Sequence, residues 1–293
     1  MPSLSGHSKT PPGANRFSSM STPSVSIPDS AACPASGRPT PFSLHGRTAL
    51  VTGSSKGIGL ACGLALRDAG AHVIFHGRVP CPADLPDDSS YIAADIGTFD
   101  GIQTLADAAF SDAAPHPADI LVNCAGSYFD VPFGEITPAI WQQTFDVNVR
   151  SAFFLSQAFA NARGKRGGAI VIVSSTNGFQ AEAQSAVYDT SKGALVMMTR
   201  TLALALAPQN IRVNGIAPGL IRTPLTGWLD TNDVLRSHYE HKILQARIGR
   251  AEECGPACVY LCSDASSYMT GQTLVIDGGL TVGQIGRLPE ASP

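Results

Sequence analysis

The chain has 293 residues, 44% of them apolar, and a formal net charge of −3. That length allows one domain with a large core, and the near balance of charge gives no electrostatic case for nucleic acid. No apolar stretch approaches the roughly eighteen residues of a bilayer span, and seven cysteines without a visible secretory core suggest a reducing, cytoplasmic setting.

Residues 1–43 hold eight prolines and eleven serines with scarcely any apolar periodicity. Such a composition buries too little to offset the entropy of ordering, so a disordered extension is expected ahead of a folded unit at 44–293. A mitochondrial transit peptide is the competing reading, because Lys9 and Arg16 precede the first acid, Asp29. Pro11 and Pro12 oppose the amphipathic helix it needs, and a dispensable extension with Met20 as another start is preferred.

The folded pattern opens at 48–53, where an apolar run meets Gly53-Ser54-Ser55-Lys56-Gly57-Ile58-Gly59 and then a helical pattern that ends at Gly70. This reads as strand, phosphate loop, helix. Gly53 permits the sharp turn, Gly57 lets backbone approach a pyrophosphate and Gly59 lets helix pack on strand, with free amides at the helix start facing the anion. Residues 72–77 form the second strand and complete a βαβ unit. Its tip reads His76-Gly77-Arg78 and lacks the carboxylate that an NAD-specific fold sets on the ribose 2′-hydroxyl. Arg78 and Lys56 are suited to a 2′-phosphate, which favours NADP(H); as plain surface cations they would leave NAD(H) possible.

Pro80, Pro82 and Pro86 do not suit a helix interior, so a loop is expected between the second and third strands. Further strands are expected near 90–95, 118–123, 168–174, 211–216 and 272–277, with long helices over 137–162 and 185–207. The fold class is α/β: a single doubly wound parallel seven-stranded Rossmann sheet in the order 3-2-1-4-5-6-7, with helices on both faces and ligands at the carboxyl ends of the strands. Cys254, Cys258 and Cys262 recur every four residues, on one helical stripe with no matching His or Asp cluster. Buried small side chains are expected there, and no metal site.

Tyr188 and Lys192 lie four residues apart, thirteen and seventeen after Ser175. On a helix that spacing shares a face, so the ammonium is expected to favour the ionised phenol. Each unit of such a shift is about 1.4 kcal/mol. The pair reads as an acid/base centre; a solvated Tyr/Lys pair is the plain alternative, and the dinucleotide pattern upstream weighs against it.

With these motifs in order, and with Asp95 after the third strand, Asn123-Cys124-Ala125-Gly126 after the fourth, Asn148 in a long helix, Pro218-Gly219 and Thr223 after the sixth, and Asp277-Gly278-Gly279 near the end, the chain resembles the short-chain dehydrogenase/reductase family in its compact single-domain branch. The resemblance spans about residues 44 to 285. It implies that Tyr188 is the general acid or base, that Lys192 lowers its pKa and binds the nicotinamide ribose, that Ser175 holds the substrate oxygen, and that Asn148 steadies a water leading from Lys192 to solvent. Ser174 remains an alternative to Ser175, because strand neighbours face opposite ways, and Asn148 could merely bond backbone. For the cofactor, the resemblance implies the loop residues Gly53, Ser55, Lys56, Gly57, Ile58 and Gly59, with Arg78. Asp95 and Ile96 would flank the adenine, and Asn123, Ala125 and Gly126 would lie by the central strands. Pro218 and Gly219 would border the cofactor, and the Ile221 backbone with the Thr223 hydroxyl would clamp the carboxamide. Cys124 departs from the family's more usual Asn, which points to a packing change.

The expected activity is NADP(H)-dependent interconversion of a secondary alcohol and a ketone. Residues 225–248 would form a lid carrying Trp228, Arg236, His238, Tyr239, His241 and Lys242, with Gln180, Glu182 and Gln184 just ahead of Tyr188. That polar set suggests a sugar, sugar-acid or hydroxy-acid substrate, although a solvated helix face explains it equally. A 3-oxoacyl thioester is the competing substrate, and a dinucleotide sensor without turnover is the competing class. The resemblance also implies a homo-oligomer, most often a tetramer, built through the 137–162 and 185–207 helices and the final strand.

Overall fold

The computed structural model describes residues 40–82, 85–86 and 89–283; apart from 40–43, the expected extension lies outside them. Seven strands, β1 (Thr48–Val51), β2 (His72–Gly77), β3 (Ser90–Ala93), β4 (Ile120–Asn123), β5 (Gly168–Val173), β6 (Ile211–Pro218) and the last, Thr273–Ile276, form one parallel sheet with that last strand beside β6. The spatial order is third, second, first, fourth, fifth, sixth, last, as the sequence pattern predicts.

Parallel neighbours need crossovers, and helices covering both faces make the central strands apolar on both sides. Side chains alternate accordingly. Leu50, Ile74, Leu121, Ile170 and Val213 pack with α2 (Phe99–Phe110), α4 (Ser151–Arg163) and α5 (Ala186–Leu206). Val51, Phe75, Ile120, Val122 and Val171 pack with α1 (Gly57–Asp68) and α7 (Gly255–Cys262). The cysteine stripe is part of that second layer: Cys254, Cys258 and Cys262 are buried free thiols that share this layer with Cys62 of α1.

Three local features differ from the sequence expectation or add to it. The helix expected over 137–162 is α3 (Pro138–Phe145) joined to α4 through a π turn at Asp146–Arg150, which carries Asn148 at the point of widening. Among the described residues between β2 and β3 there is no helix. Two short strands, β7 (Ile221–Arg222) and β8 (Gly249–Arg250), pair outside the main sheet and pin together the two ends of the lid. The lid runs as short helical turns over Pro224–Asp230 and then α6 (Asp233–Lys242), fastened by buried Leu229, Ile243 and Ile248. The final sheet strand is β9 (Thr273–Ile276).

Candidate active site

Every loop that leaves the carboxyl end of β1, β2, β3, β4, β5 or β6 borders one elongated cleft of about 550 Å³. The glycine loop closes one wall. Gly53 has a left-handed φ of +64°, and a Cβ at Gly59 would come within 2.4 Å of the Gly53 carbonyl, so the helix start can lie against the strand only with hydrogen at that position. Ser55, Lys56, Gly57 and Ile58 continue this wall, and Thr223 at the head of the lid abuts Gly57. At one end Lys56 and Arg78 are exposed, and no carboxylate among the described residues pairs with either.

Asp95 and Ile96 border the cleft after β3; the Asp95 carboxylate accepts from the Gly97 amide at 3.0 Å. Ala125 and Gly126 border it after β4, held to β1 by the Thr52 hydroxyl, which accepts from the Cys124 and Ala125 amides at 3.0 and 3.1 Å. Pro218, Gly219 and Ile221 border it after β6. A Cβ at Gly126 would stand 3.6 Å from Asn148 Oδ1 and 3.7 Å from Lys192 Nζ, so glycine keeps a lane open between two polar ends. Backbone amides, a free cation pair and this open lane together suit a long, polyanionic dinucleotide.

Two expected residues do not reach the cleft. Asn123 points beneath it, donating to Ser156 Oγ of α4 at 3.1 Å, because strand alternation gives the cleft side to Cys124. Asn148 lies behind the Gly126 lane. Its Oδ1 accepts from the Ser127 amide at 2.7 Å, and its Nδ2 donates to the Ser127 carbonyl and to Ser191 Oγ, both at 3.0 Å.

At the far end of the cleft stand Ser175, Tyr188 and Lys192. The Ser175 hydroxyl caps the next turn, accepting from the Asn177 amide at 3.1 Å, and stands with the Tyr188 phenol at the meeting of the two cavities. The Ser174 hydroxyl donates instead to the Ile216 carbonyl at 3.1 Å. Lys192 is buried, donates to the Val173 carbonyl at 3.1 Å, and lies 5.3 Å from the centre of the Tyr188 ring. The Tyr128 ring meets the same phenol edge-on with centroids 4.9 Å apart, and is itself tied to Asp130 at 2.6 Å.

Burial dominates the electrostatics of this pair. Burial pushes the Tyr188 phenol up to about 12; the Ser175 hydroxyl works against this, while the Asp189 and Glu182 carboxylates reinforce it. Lys192 lies over the ring face, and burial draws its own ammonium down to about 8. The protein's own groups therefore hold the phenol protonated.

A second cavity of about 510 Å³ opens on the other side of Ser175 and Tyr188. Asn177, Gln180 and Glu182 line one wall, and Trp228, Tyr239 and Lys242 of the lid line the other. The Tyr239 hydroxyl donates to Glu182 Oε1, while Asn177 Nδ2 donates to Glu182 Oε2 at 3.2 Å and to Asp189 Oδ1 at 2.8 Å. The lid is thus wired through Asn177 to Ser175.

A family model described as "Enoyl-(Acyl carrier protein) reductase" matches residues 53–281. The human protein named dehydrogenase/reductase SDR family member 4 is 34% identical over 244 residues, covering 80% of this chain and 88% of that one. The chain belongs to the short-chain dehydrogenase/reductase family. L-xylulose reductase from Mesocricetus auratus is 37% identical over 251 residues, 82% of this chain and 98% of that protein. The crystal structure of a gluconate 5-dehydrogenase from Burkholderia cenocepacia J2315, in complex with NADP and tartrate, superposes with a TM-score of 0.78 at 31% identity, covering 83% of this chain and 98% of that one.

As a member of this family the chain is a dehydrogenase/reductase acting on alcohol and ketone groups. Its lid differs in detail from the polar face read in the sequence. Arg236 is drawn to Asp233 at 2.7 Å, and of the expected lid residues Trp228, Tyr239 and Lys242 border the cavity whereas His238 and His241 do not. Sequence reasoning passed over Tyr128, Asn177, and the Asp277 carboxylate that folds the last turn onto the cavity through Thr281 and Gly279. The Asp277-Gly278-Gly279 motif was the visible signal for that turn. No helix among the described residues is long and apolar enough to cross a membrane.

Proposed function

We propose that this chain is an NADP(H)-dependent oxidoreductase that interconverts a secondary alcohol and a ketone on a sugar, sugar acid or hydroxy acid. The observation that carries the reading is that the two clefts meet at the Ser175 and Tyr188 hydroxyls, one side lined for a dinucleotide and the other with amide, carboxylate and ammonium groups. The relatives named for xylulose and gluconate, and the NADP bound in the solved neighbour, support both halves.

In reduction Tyr188 gives its proton to the carbonyl oxygen, and Ser175 holds that oxygen by a second hydrogen bond. In oxidation Tyr188 takes the proton back. When bound, the dinucleotide donates or accepts the hydride and, oxidised, brings a positive charge toward the phenol. The loop amides from Ser55 to Gly59 would hold the pyrophosphate, Lys56 and Arg78 the 2′-phosphate, and Lys192 the ribose hydroxyls. Asn148, locked by Ser127 and Ser191, fixes the helix turn next to Lys192. The chain works as a homo-oligomer, a tetramer by family habit. Exposed apolar residues on α4 and α5, Phe153, Met197 and Leu204, supply one face, and Val275 of β9 with Val282 supplies another.

The test is nicotinamide absorbance at 340 nm with NADPH and NADH against ketoses, polyols, sugar acids and a 3-oxoacyl thioester. Turnover of the sugar-like compounds, with NADPH preferred and the preference reduced in Arg78→Ala, is the expected result. Turnover confined to the thioester would replace the substrate assignment. Binding of NADPH without turnover of any compound would favour a sensor.

A further inference from the structure

His76 is the penultimate residue of β2, beneath the glycine loop, and is 1% exposed. Both ring nitrogens are engaged: the Gly53 amide donates to Nδ1 at 3.1 Å, and Nε2 lies 3.1 Å from the Ala94 carbonyl after β3. An amide N–H can only donate and a carbonyl can only accept, so the ring carries its proton on Nε2 and presents a bare lone pair at Nδ1. The backbone of the same residue is tied to the next loop position. Its N–H donates to Ser54 Oγ at 2.9 Å, and its carbonyl accepts from the Ser54 amide at 2.9 Å. One residue of β2 therefore fixes Gly53 and Ser54, where the chain turns through a left-handed φ and begins to aim its amides into the cleft.

We propose that His76 is the positioning residue of the glycine loop, and that dinucleotide binding draws on its neutral, Nε2-protonated form. The proposal rests on the reading of this cleft as a dinucleotide site. An apolar side chain here would leave the Gly53 amide without its acceptor at the turn on which the phosphate-facing amides depend. A second ring proton would set donor against donor. Burial opposes that proton and holds the imidazole below its ordinary 6.5, against the Asp95 carboxylate, which favours it. Lys56 in the loop and Arg78, just past the end of β2, border the same cleft, and Tyr91 on β3 stands beside Gly77. The pyrophosphate is common to both nicotinamide dinucleotides, so His76 acts on NADPH and NADH alike, whereas Arg78 acts on the 2′-phosphate that NADPH alone carries.

The experiment measures Kd for NADPH and for NADH by nicotinamide fluorescence on the full chain and on His76→Asn, His76→Leu and Arg78→Ala. His76→Leu is expected to weaken both dinucleotides by a similar factor of about ten or more. His76→Asn, whose amide offers an acceptor and a donor in place of the ring nitrogens, is expected to stay within about threefold, and Arg78→Ala to weaken NADPH alone. If His76→Leu does not fold, nitrogen–proton correlation spectra of the wild-type imidazole decide: the Nε2-protonated tautomer is expected, and an Nδ1-protonated ring would overturn the proposal. Wild-type binding of both dinucleotides with His76→Leu unchanged would overturn it alone, while failure of the wild type to bind either would overturn the reading of the cleft.

Discussion

Lys192 is the residue whose burial carries the plainest energetic consequence. Its pKa falls from 10.5 to about 8, so between those values the unfolded chain binds the proton that the folded chain has released. Stability therefore rises with pH across that window, and below pH 8 the full cost of a buried ammonium is present, about 3 kcal/mol from the size of the shift. Lys192→Met removes that cost along with one hydrogen bond to Val173. It is expected to melt at a higher temperature than wild type at pH 7, with the advantage shrinking toward pH 10, while activity is lost. Scanning calorimetry at both pH values checks this. Burial of the Tyr188 phenol was likewise not legible in the sequence. The four-residue spacing made the cation legible, but the desolvation of both groups and the approach of Asp189 and Glu182 depend on tertiary packing.

Among the elements, the lid is the one whose behaviour follows from a single contact. Tyr239 of α6 donates to Glu182, fifty-seven residues away in the chain, and Glu182 shares Asn177 with Asp189. Tyr239→Phe keeps the ring against Trp228 and removes the latch; KM is expected to rise roughly three- to tenfold with kcat changed less, since a hydrogen bond at a half-exposed site contributes on the order of 1 kcal/mol. An unchanged KM in steady-state assays would show that the latch does not bear on substrate. Strands, glycine loop and long helices were legible because their signals are local: runs of β-branched residues, glycines at fixed offsets and a period near 3.6. The π turn at Asn148, the β7–β8 clasp, the capture of Arg236 by Asp233 and the bridge from His76 to Gly53 were not. The clasp and the His76 bridge join residues far apart in the chain that meet only once the sheet is assembled, whereas the π turn and the i,i+3 pair are local details that a helical period does not announce.

Taken whole, the molecule sets two cavities end to end across the carboxyl edge of a parallel sheet, and its outer helices leave apolar residues uncovered. Leu204 is 82% exposed and Met197 56% exposed on α5. If copies of the chain pack there, Met197→Glu with Leu204→Glu is expected to shift the sedimentation coefficient to that of a smaller species, because two carboxylates would be buried without partners. A double variant that sediments as wild type would move the interface elsewhere. Tyr188→Phe probes the junction of the two cavities, because the ring, its contact with Tyr128 and the cleft walls are kept while one proton is taken away. The measurement is kcat with NADPH and the best substrate, alongside the NADPH Kd. The predicted result is a fall in kcat of roughly 10² to 10⁴ with the Kd within about threefold of wild type; a variant that turned over at the wild-type rate would contradict the account.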